Sequence, residues 1–471
     1  MWILLALAGC VRVPHDEACC LLEPTPSVGS AASDTLFVHA DFPDSCWWQL
    51  FKDPQLDALI EQALCENPTI QRAQARIRAM EAEAVVKRSY LFPTLEASAQ
   101  VDWEHLGRNN FFRAFTPVIP ANVPQYEPFL NFNYELDLWG KNHNIYKAAL
   151  GEAKTAIAEK ESAILFLTTS VSATYFQLQA DLDQLALLED IRGVYEQSLS
   201  LVKMRVENAL DTSFQQLDAE KELFIINQSL LYTQAKIALQ KHLLKALLGE
   251  GPESDSKVDK ITLKAIGSFP LPTNISSNLL ARRPDLMAQI WRVESAARLV
   301  GAAKADFYPR VNLLAVAGLS SVFFSKLFTE NSFYARALPA VYLPIFNAGR
   351  IRNRLRARRA EFEEMVYQYN ETVLRAVKEV ADQIVTLQTA TATLTTQNQI
   401  VANRFANLNL MGKRFENALS NALDVLEQRK VTLQEQLTKV KLTYDQNLAA
   451  VLLIKALGGG YCTEEVPFDC P

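Results

Sequence analysis

The 471-residue sequence can be aligned with itself. Arg205-Val206-Glu207-Asn208-Ala209-Leu210 recurs as Arg414-Phe415-Glu416-Asn417-Ala418-Leu419, an offset of 209 with five of six residues identical. Pro68 and Pro93 pair with Pro284 and Pro309 at an offset of 216, and Lys245-Ala246-Leu247 with Lys455-Ala456-Leu457 at 210. Tyr90-Leu91-Phe92-Pro93 likewise resembles Asp306-Phe307-Tyr308-Pro309. Solenoid units recur every ~20 to 50 residues, so a repeat this long is a whole structural unit written twice. Whatever one copy folds into, the chain makes two of. The copies span residues 53–249 and 273–459, with a linker rich in Gly, Pro, Ser and Asp at 250–272. Residues 1–10 and 11–52 precede them as a leader and an extended segment, and 460–471 follow as a tail.

Each copy opens with a helical stretch, Pro54 to Leu91 and Ser276 to Phe307, rich in alanine and charge and stopped before a proline. Strands are expected next, as hairpins over 93–139 and 309–347. From Thr94 the side chains alternate: Leu95, Ala97, Ala99, Val101 and Trp103 against Glu96, Ser98, Gln100 and Asp102. Leu130, Phe132, Tyr134, Leu136 and Leu138 alternate with Asn131, Asn133, Glu135 and Asp137. The second pair, Arg310 to Leu319 and Tyr334 to Phe346, alternates less cleanly. A soluble sheet would also alternate, but strands of this length with an acidic polar face suit a wet lumen behind a lipid-facing wall.

After each hairpin, a turn at Trp139-Gly140-Lys141 or Phe346 to Arg350 leads into about 65 residues without proline. Val373, Val377, Val380, Ile384 and Leu387 mark the seam of a coiled coil, repeated as Ile164, Thr168, Val171, Tyr175 and Leu178. A helix from Gly349 to Phe415 would be on the order of 100 Å long, far beyond what a globular core needs. Return helices are expected from Phe214 to Leu248 and Leu423 to Leu457, stopped by Gly249 and by Gly458-Gly459-Gly460. No stretch after the N-terminus has the ~20 consecutive apolar residues of a spanning helix. A membrane crossing would therefore use strands. Four strands cannot close a barrel, and an open edge in lipid leaves backbone groups unsatisfied, so the chain must oligomerise.

Met1 to Gly9 is apolar and runs into Cys10, as the end of a secretion signal would, and Leu7-Ala8-Gly9-Cys10 resembles a bacterial lipobox. In that reading Cys10 carries acyl chains that anchor the protein at ~0.8 kcal/mol per buried methylene. The run is short and no Lys or Arg precedes it, so translation is expected to start upstream of Met1. Cys462 and Cys470 are candidates for a disulfide, with free thiols the alternative.

A net charge of −6 without clustered phosphate-binding lysines argues against nucleic acid. The one dense basic run, Arg350 to Arg359, reads as the solvated first turns of a helix. There is no His-Glu-x-x-His, Gly-x-Ser-x-Gly or phosphate loop, and His15, His39, His105, His143 and His242 have no partners at ligand spacing. No enzyme, metal site or cofactor is expected, beyond lipid on Cys10.

Trp47-Trp48, Tyr134 to Gly140, Arg282-Arg283-Pro284-Asp285-Leu286, Gly301 to Arg310 and Lys455 to Gly460, in order and duplicated, resemble the TolC-like outer-membrane efflux proteins, specifically the NodT-type lipoproteins. The resemblance implies a mainly α chain with membrane β-strands. Long antiparallel coiled-coil helices would form a periplasmic α-barrel tunnel, and four strands per chain would contribute to a trimeric 12-stranded barrel. It implies a homotrimer in the outer membrane, docked on a periplasmic membrane-fusion adaptor and an inner-membrane pump of the RND type. Carried over residue by residue, the periplasmic constriction would be Leu423, Glu427 and Lys430, with Phe214, Asp218 and Lys221 as their first-copy counterparts. Ala209 and Ala418 stand where such proteins often have glycine. A type I secretion duct and a non-conducting coiled-coil envelope lipoprotein are the alternatives.

Overall fold

The computed structural model describes residues 37–40, 42–109, 121–254, 258–267, 269–272 and 282–461. Cys10, Cys462 and Cys470 lie outside them. The chain divides into two compact units. Among the described residues, one comprises Arg76–Ala156 and Gln289–Tyr369, and the other 37–75, Ile157–Ala288 and 370–461.

The first unit contains a four-stranded antiparallel sheet: β2 (Thr94–His105), β3 (Asn122–Leu136), β5 (Arg310–Leu319) and β6 (Phe333–Tyr342), in that spatial order. The two hairpins join through β3 and β5. Expected to start at Leu130, β3 in fact begins eight residues earlier, at Asn122. Pro124 and Pro128, which argue against a strand in the sequence, lie in the stretch paired to β2, while pairing to β5 starts only at Phe129. Their missing N–H groups thus fall where β3 has a ladder on one side only. Gly318 of β5 lies opposite Phe129, and a Cβ there would come within 2.6 Å of the Phe129 Cβ, so the close approach of these strands excludes a side chain.

The expected single helix from Pro54 to Leu91 is two, α1 (Pro54–Glu66) and α2 (Pro68–Ser89). Pro68 denies its predecessor helical geometry, so Asn67 is extended, at φ −68° and ψ 122°. The Asn67 amide instead donates to the Leu247 carbonyl at 2.7 Å. α1 is capped by Asp53, whose carboxylate accepts from the Gln55 and Leu56 amides and from the Tyr175 hydroxyl at 2.6 Å. Trp47 and Trp48 are buried edge to face, and Phe51 carries the aromatic stack on to Phe176.

The long helices are α3 (Lys141–Glu207) and α6 (Arg350–Glu416), each of 67 residues, with returns α4 (Ser213–Leu247) and α7 (Ala422–Leu457). A shorter helix, α5 (Pro284–Ala305), precedes β5. In the second unit the seam residues Val171, Tyr175, Leu178, Val373, Val380, Ile384 and Leu387 are buried. Contacts there run α4 to α3 to α7 to α6. Leu188 and Ile191 of α3 pack on Leu230 of α4 and also on Leu433 and Leu437 of α7. Gln397 of α6 donates to Glu435 of α7 at 2.9 Å. The second copy's return helix therefore lies beside the first copy's outgoing helix.

The linker is tied down. Gln179 donates to the Asp259 carbonyl and accepts from the Ile261 amide, pairing with the backbone as a strand would. Gln446 and Asn447 donate to the Ile266 and Lys264 carbonyls. A two-stranded parallel pair, β1 (Phe37–Ala40) with β4 (Phe269–Pro272), was not foreseen, because each partner is only four residues long.

Candidate functional site

The strand register sorts every side chain of the sheet. Leu95 faces Phe132, Phe132 faces Ala315 and Ala315 faces Ala337. One row along, Ala97, Leu130, Ala317 and Ala335 line up, and Tyr134, Leu313 and Pro339 form another. Because side chains alternate with period two, this register aligns these apolar rows of all four strands on a single face. The opposite face carries Glu96, Gln100, Asp102, Glu127, Asn131, Asn312 and Arg336. The less regular second pair is apolar on both faces, with Leu314, Val316 and Leu338 on the polar side, but its outward row contains no polar residue. Trp103 is 73% exposed, and Leu95, Val101 and Val341 are exposed too, so the chain does not cover this face itself. Aromatic rings lie near both ends: Tyr126 against Phe324 at 5.4 Å, and Trp139 stacked on Tyr308 at 4.7 Å. An apolar band between aromatic girdles is the outer surface of a membrane barrel.

Unpaired edges and seams accompany it. The margins of the sheet are β2 and β6. Leu217, Phe224 and Leu231 recur every seven residues along α4 and are exposed, as are Ile225, Tyr232 and Leu239. Such a heptad stripe is a coiled-coil seam without a partner among the described residues.

The tips between outgoing and returning helices hold the expected constriction residues. Both outgoing helices end alike. The Ala209 amide donates to the Val206 carbonyl and the Leu210 amide to Arg205; Ala418 and Leu419 repeat this with Phe415 and Arg414. This is the Schellman arrangement, whose central residue is left-handed. Ala209 and Ala418 have φ 56° and 55°. The glycine-to-alanine difference noted in the sequence is therefore absorbed as backbone strain, with the turn retained. The returns restart on capping boxes, Thr212 with Gln215 and Asn421 with Asp424.

Leu423 lines a cleft of about 210 Å³ with Asn421, Ala422 and, from the other copy's tip, Leu201, Met204 and Leu210. Glu427 pairs with Lys430 at 2.5 Å, and the Lys430 ammonium lies 5.7 Å over the Tyr195 ring. In the first copy Asp218 pairs with Lys221 at 2.6 Å, while Phe214 is 76% exposed. The structure brings Leu423, Glu427 and Lys430 onto the first copy's outgoing helix. No ion pair among the described residues joins them to Asp218 or Lys221.

Tyr195 and Glu222 were missed. The Tyr195 hydroxyl donates to Glu222 at 3.5 Å, and burial, reinforced by the Glu222 and Glu427 carboxylates, pushes it above its usual range. The available signal was its spacing: Leu188, Ile191 and Tyr195 continue the α3 seam, where a phenol needs a polar partner. No group of three or more potential metal ligands occurs among the described residues.

Solved structures share this fold. VceC of Vibrio cholerae matches with a TM-score of 0.79 at 30% identity, over 89% of this chain and 100% of that one. The outer-membrane channel OprN matches with a TM-score of 0.83 at 23% identity, over 94% and 99%. The fold is thus that of an outer-membrane channel protomer. By sequence, a multidrug resistance outer membrane protein of Escherichia coli, MdtQ, is 30% identical over 465 residues, 98% of this chain and 97% of that one. MdtP of Shigella flexneri, also named for multidrug resistance, is 28% identical over 97% and 94%. The chain belongs to the outer membrane efflux protein family, whose profile matches residues 59–250 and 275–459.

Proposed function

We propose that this chain is the outer-membrane exit duct of a tripartite efflux system, a passive channel that does no chemistry on its cargo. Three copies would join β6 to β2 around a 12-stranded barrel and α4 to a neighbour's helix around a tunnel. A periplasmic adaptor and an inner-membrane pump, of the RND type, would deliver the cargo, whose class is suggested by the multidrug names of the relatives. The observation that carries this reading is the register: four strands from two distant copies present one unbroken apolar face. A coiled-coil spacer has no use for such a face.

Within this reading Leu423, Glu427 and Lys430 form the constriction, with Phe214, Asp218 and Lys221 in the weaker ring, and Cys10 carries the lipid. The Glu427–Lys430 pair and its contact with Tyr195 support the closed position, since opening the tip would separate α7 from α3. A ring of three Glu427 carboxylates would favour cations. Single-channel recording in a planar bilayer tests both levels. Wild-type protein should conduct, and Glu427→Ala should raise conductance and weaken cation preference. A protein that inserts without conducting removes the duct reading; an unchanged variant removes only Glu427 from the gate.

A further inference from the structure

The dense basic run sits at a boundary that the fold defines. Arg350, Arg352, Arg354 and Arg356 are exposed in the first turns of α6, while Ile351 and Leu355 are buried on its other side. Immediately before the helix, Ile345 and Phe346 are each 89% exposed. This junction follows β6, whose outward row is part of the lipid-facing band. No described helix is long and apolar enough to cross a membrane, and with the strands as the membrane wall the level at which they give way to helices is the membrane surface. Exposed apolar residues followed at once by exposed arginines match both layers of that surface, the acyl boundary and the headgroups.

The arginines are not accounted for by the protein. Arg354 reaches Asp306 at 3.5 Å, but Asp306 already holds Lys141 at 2.7 Å. Arg350 and Arg352 have no acidic partner among the described residues, and Arg356 has only the Asn353 amide oxygen at 3.5 Å. A cation in the first turn also opposes the helix dipole. The first copy shows what a self-sufficient start looks like: Asp137 caps α3 by accepting from the Asn142 and His143 amides. At the matching position of the second copy stands exposed Phe346, and the cap is the neutral Asn347, whose Oδ1 accepts from the Ile351 amide at 3.4 Å and brings no charge to offset the arginines.

We infer that Ile345 to Arg356 is a docking surface for anionic phospholipid in the periplasmic leaflet, with Ile345 and Phe346 among the acyl chains and Arg350, Arg352 and Arg356 on headgroup phosphates. The inference rests on the membrane-wall reading above. Its ligand is specified by charge complementarity and by continuity with the lipid-facing band. Each basic residue near an anionic surface is worth about 1 kcal/mol, or about fivefold in binding.

The test is native mass spectrometry of the full-length protein, released from detergent after exchange with phosphatidylglycerol or phosphatidylethanolamine. Wild type should retain phosphatidylglycerol preferentially, and the preference should fall as ionic strength rises. Arg350→Gln/Arg352→Gln/Arg356→Gln should reduce it at least tenfold, while the three Arg→Lys changes should keep most of it. A wild type that shows no preference, or whose preference ignores salt, overturns the inference even if the glutamine variant fails to fold. An unchanged preference in the glutamine variant overturns it too. If instead that variant gains cation selectivity in bilayer recordings without losing lipid, the arginines line the lumen and the inference fails. Conductance of the wild type is a separate readout, so failure of lipid retention leaves the duct reading standing.

Discussion

Arg283 holds the start of α5 to α6 and α7, so its removal should be felt by all three helices. It is 6% exposed at the start of α5. Its guanidinium grips Asp285 with both arms, Nε to Oδ1 at 3.0 Å and Nη2 to Oδ2 at 2.8 Å. It also donates to Glu379 of α6 at 2.9 Å and to the Ala456 carbonyl of α7 at 3.0 Å. One planar group thus ties three helices, a geometry that lysine cannot reproduce. Removing one partner of a buried pair costs about 3–5 kcal/mol. Here Asp285 and Glu379 are 36% and 43% exposed and can rehydrate, so about 2–4 kcal/mol is expected for Arg283→Ala, mostly the stranded carbonyl and the cavity. Arg283→Lys, which keeps the charge and loses the fork, should cost roughly half as much. At 2–4 °C per kcal/mol for a unit of a few hundred residues, Arg283→Ala should lower the apparent unfolding temperature by about 4–16 °C, read from the 222 nm helical signal in detergent. A melt within 1 °C of wild type would refute the account. The pH dependence has a fixed sign. Burial pushes the Asp285 carboxyl up, but the Arg283 fork, the Leu286 amide and Arg375 outweigh it and hold it below the usual carboxylate range. The stabilisation is then complete above the unfolded pKa near 3.8 and is lost as pH falls through the lower folded value. Arg283→Ala should erase that acid-side loss.

Ala209→Gly and Ala418→Gly relieve left-handed strain of about 1 kcal/mol each, less the entropy glycine adds to the unfolded chain. Each should stabilise by a few tenths to 1 kcal/mol, whereas valine at either site should destabilise, as hydrogen exchange at the tips would report. Leu313→Arg, near the middle of the outward row, should cost about 2–4 kcal/mol in the bilayer and block folding into liposomes; normal insertion would mean that this face is not the wall. Leu231→Glu places a charge on the unpartnered α4 seam and should dissociate the oligomer in mass photometry while leaving the monomer helical. Gly318→Leu should abolish insertion, because the Phe129 backbone occupies the space its side chain needs.

What the sequence disclosed and what it withheld differ in kind. Local signals survived: the proline-free runs became helices of 67 residues, and the breaks fell at the duplicated Glu-Asn-Ala-Leu motif. The seam residues lie inside, because a 3.5-residue period specifies which side is buried without naming the partner. Nothing in the spacing of Leu188, Ile191 and Tyr195 says that α7 of the second copy, as well as α4 of the first, lies against them. Yet this choice brings Lys430 over Tyr195 and gives the second copy's tip its contact with the first copy's outgoing helix. The prolines of β3 show the same limit from the other side. Pro124 and Pro128 fit within β3 because the β5 ladder stops at Phe129, a limit that the sequence does not reveal. The duplication resolves the apparent surplus. With α7 packed beside α3, the two helical hairpins stay whole and join side by side, and α4 and α6 at the margins are left with exposed apolar residues, Leu231 on one and Leu374 on the other. The sheet does likewise, joining the copies through β3 and β5 and leaving β2 and β6 open. Joining the two copies in this order buries the surfaces between them and leaves the exposed apolar stripes and the open sheet edges at the margins, which in the proposed duct a neighbouring chain with the same margins would cover.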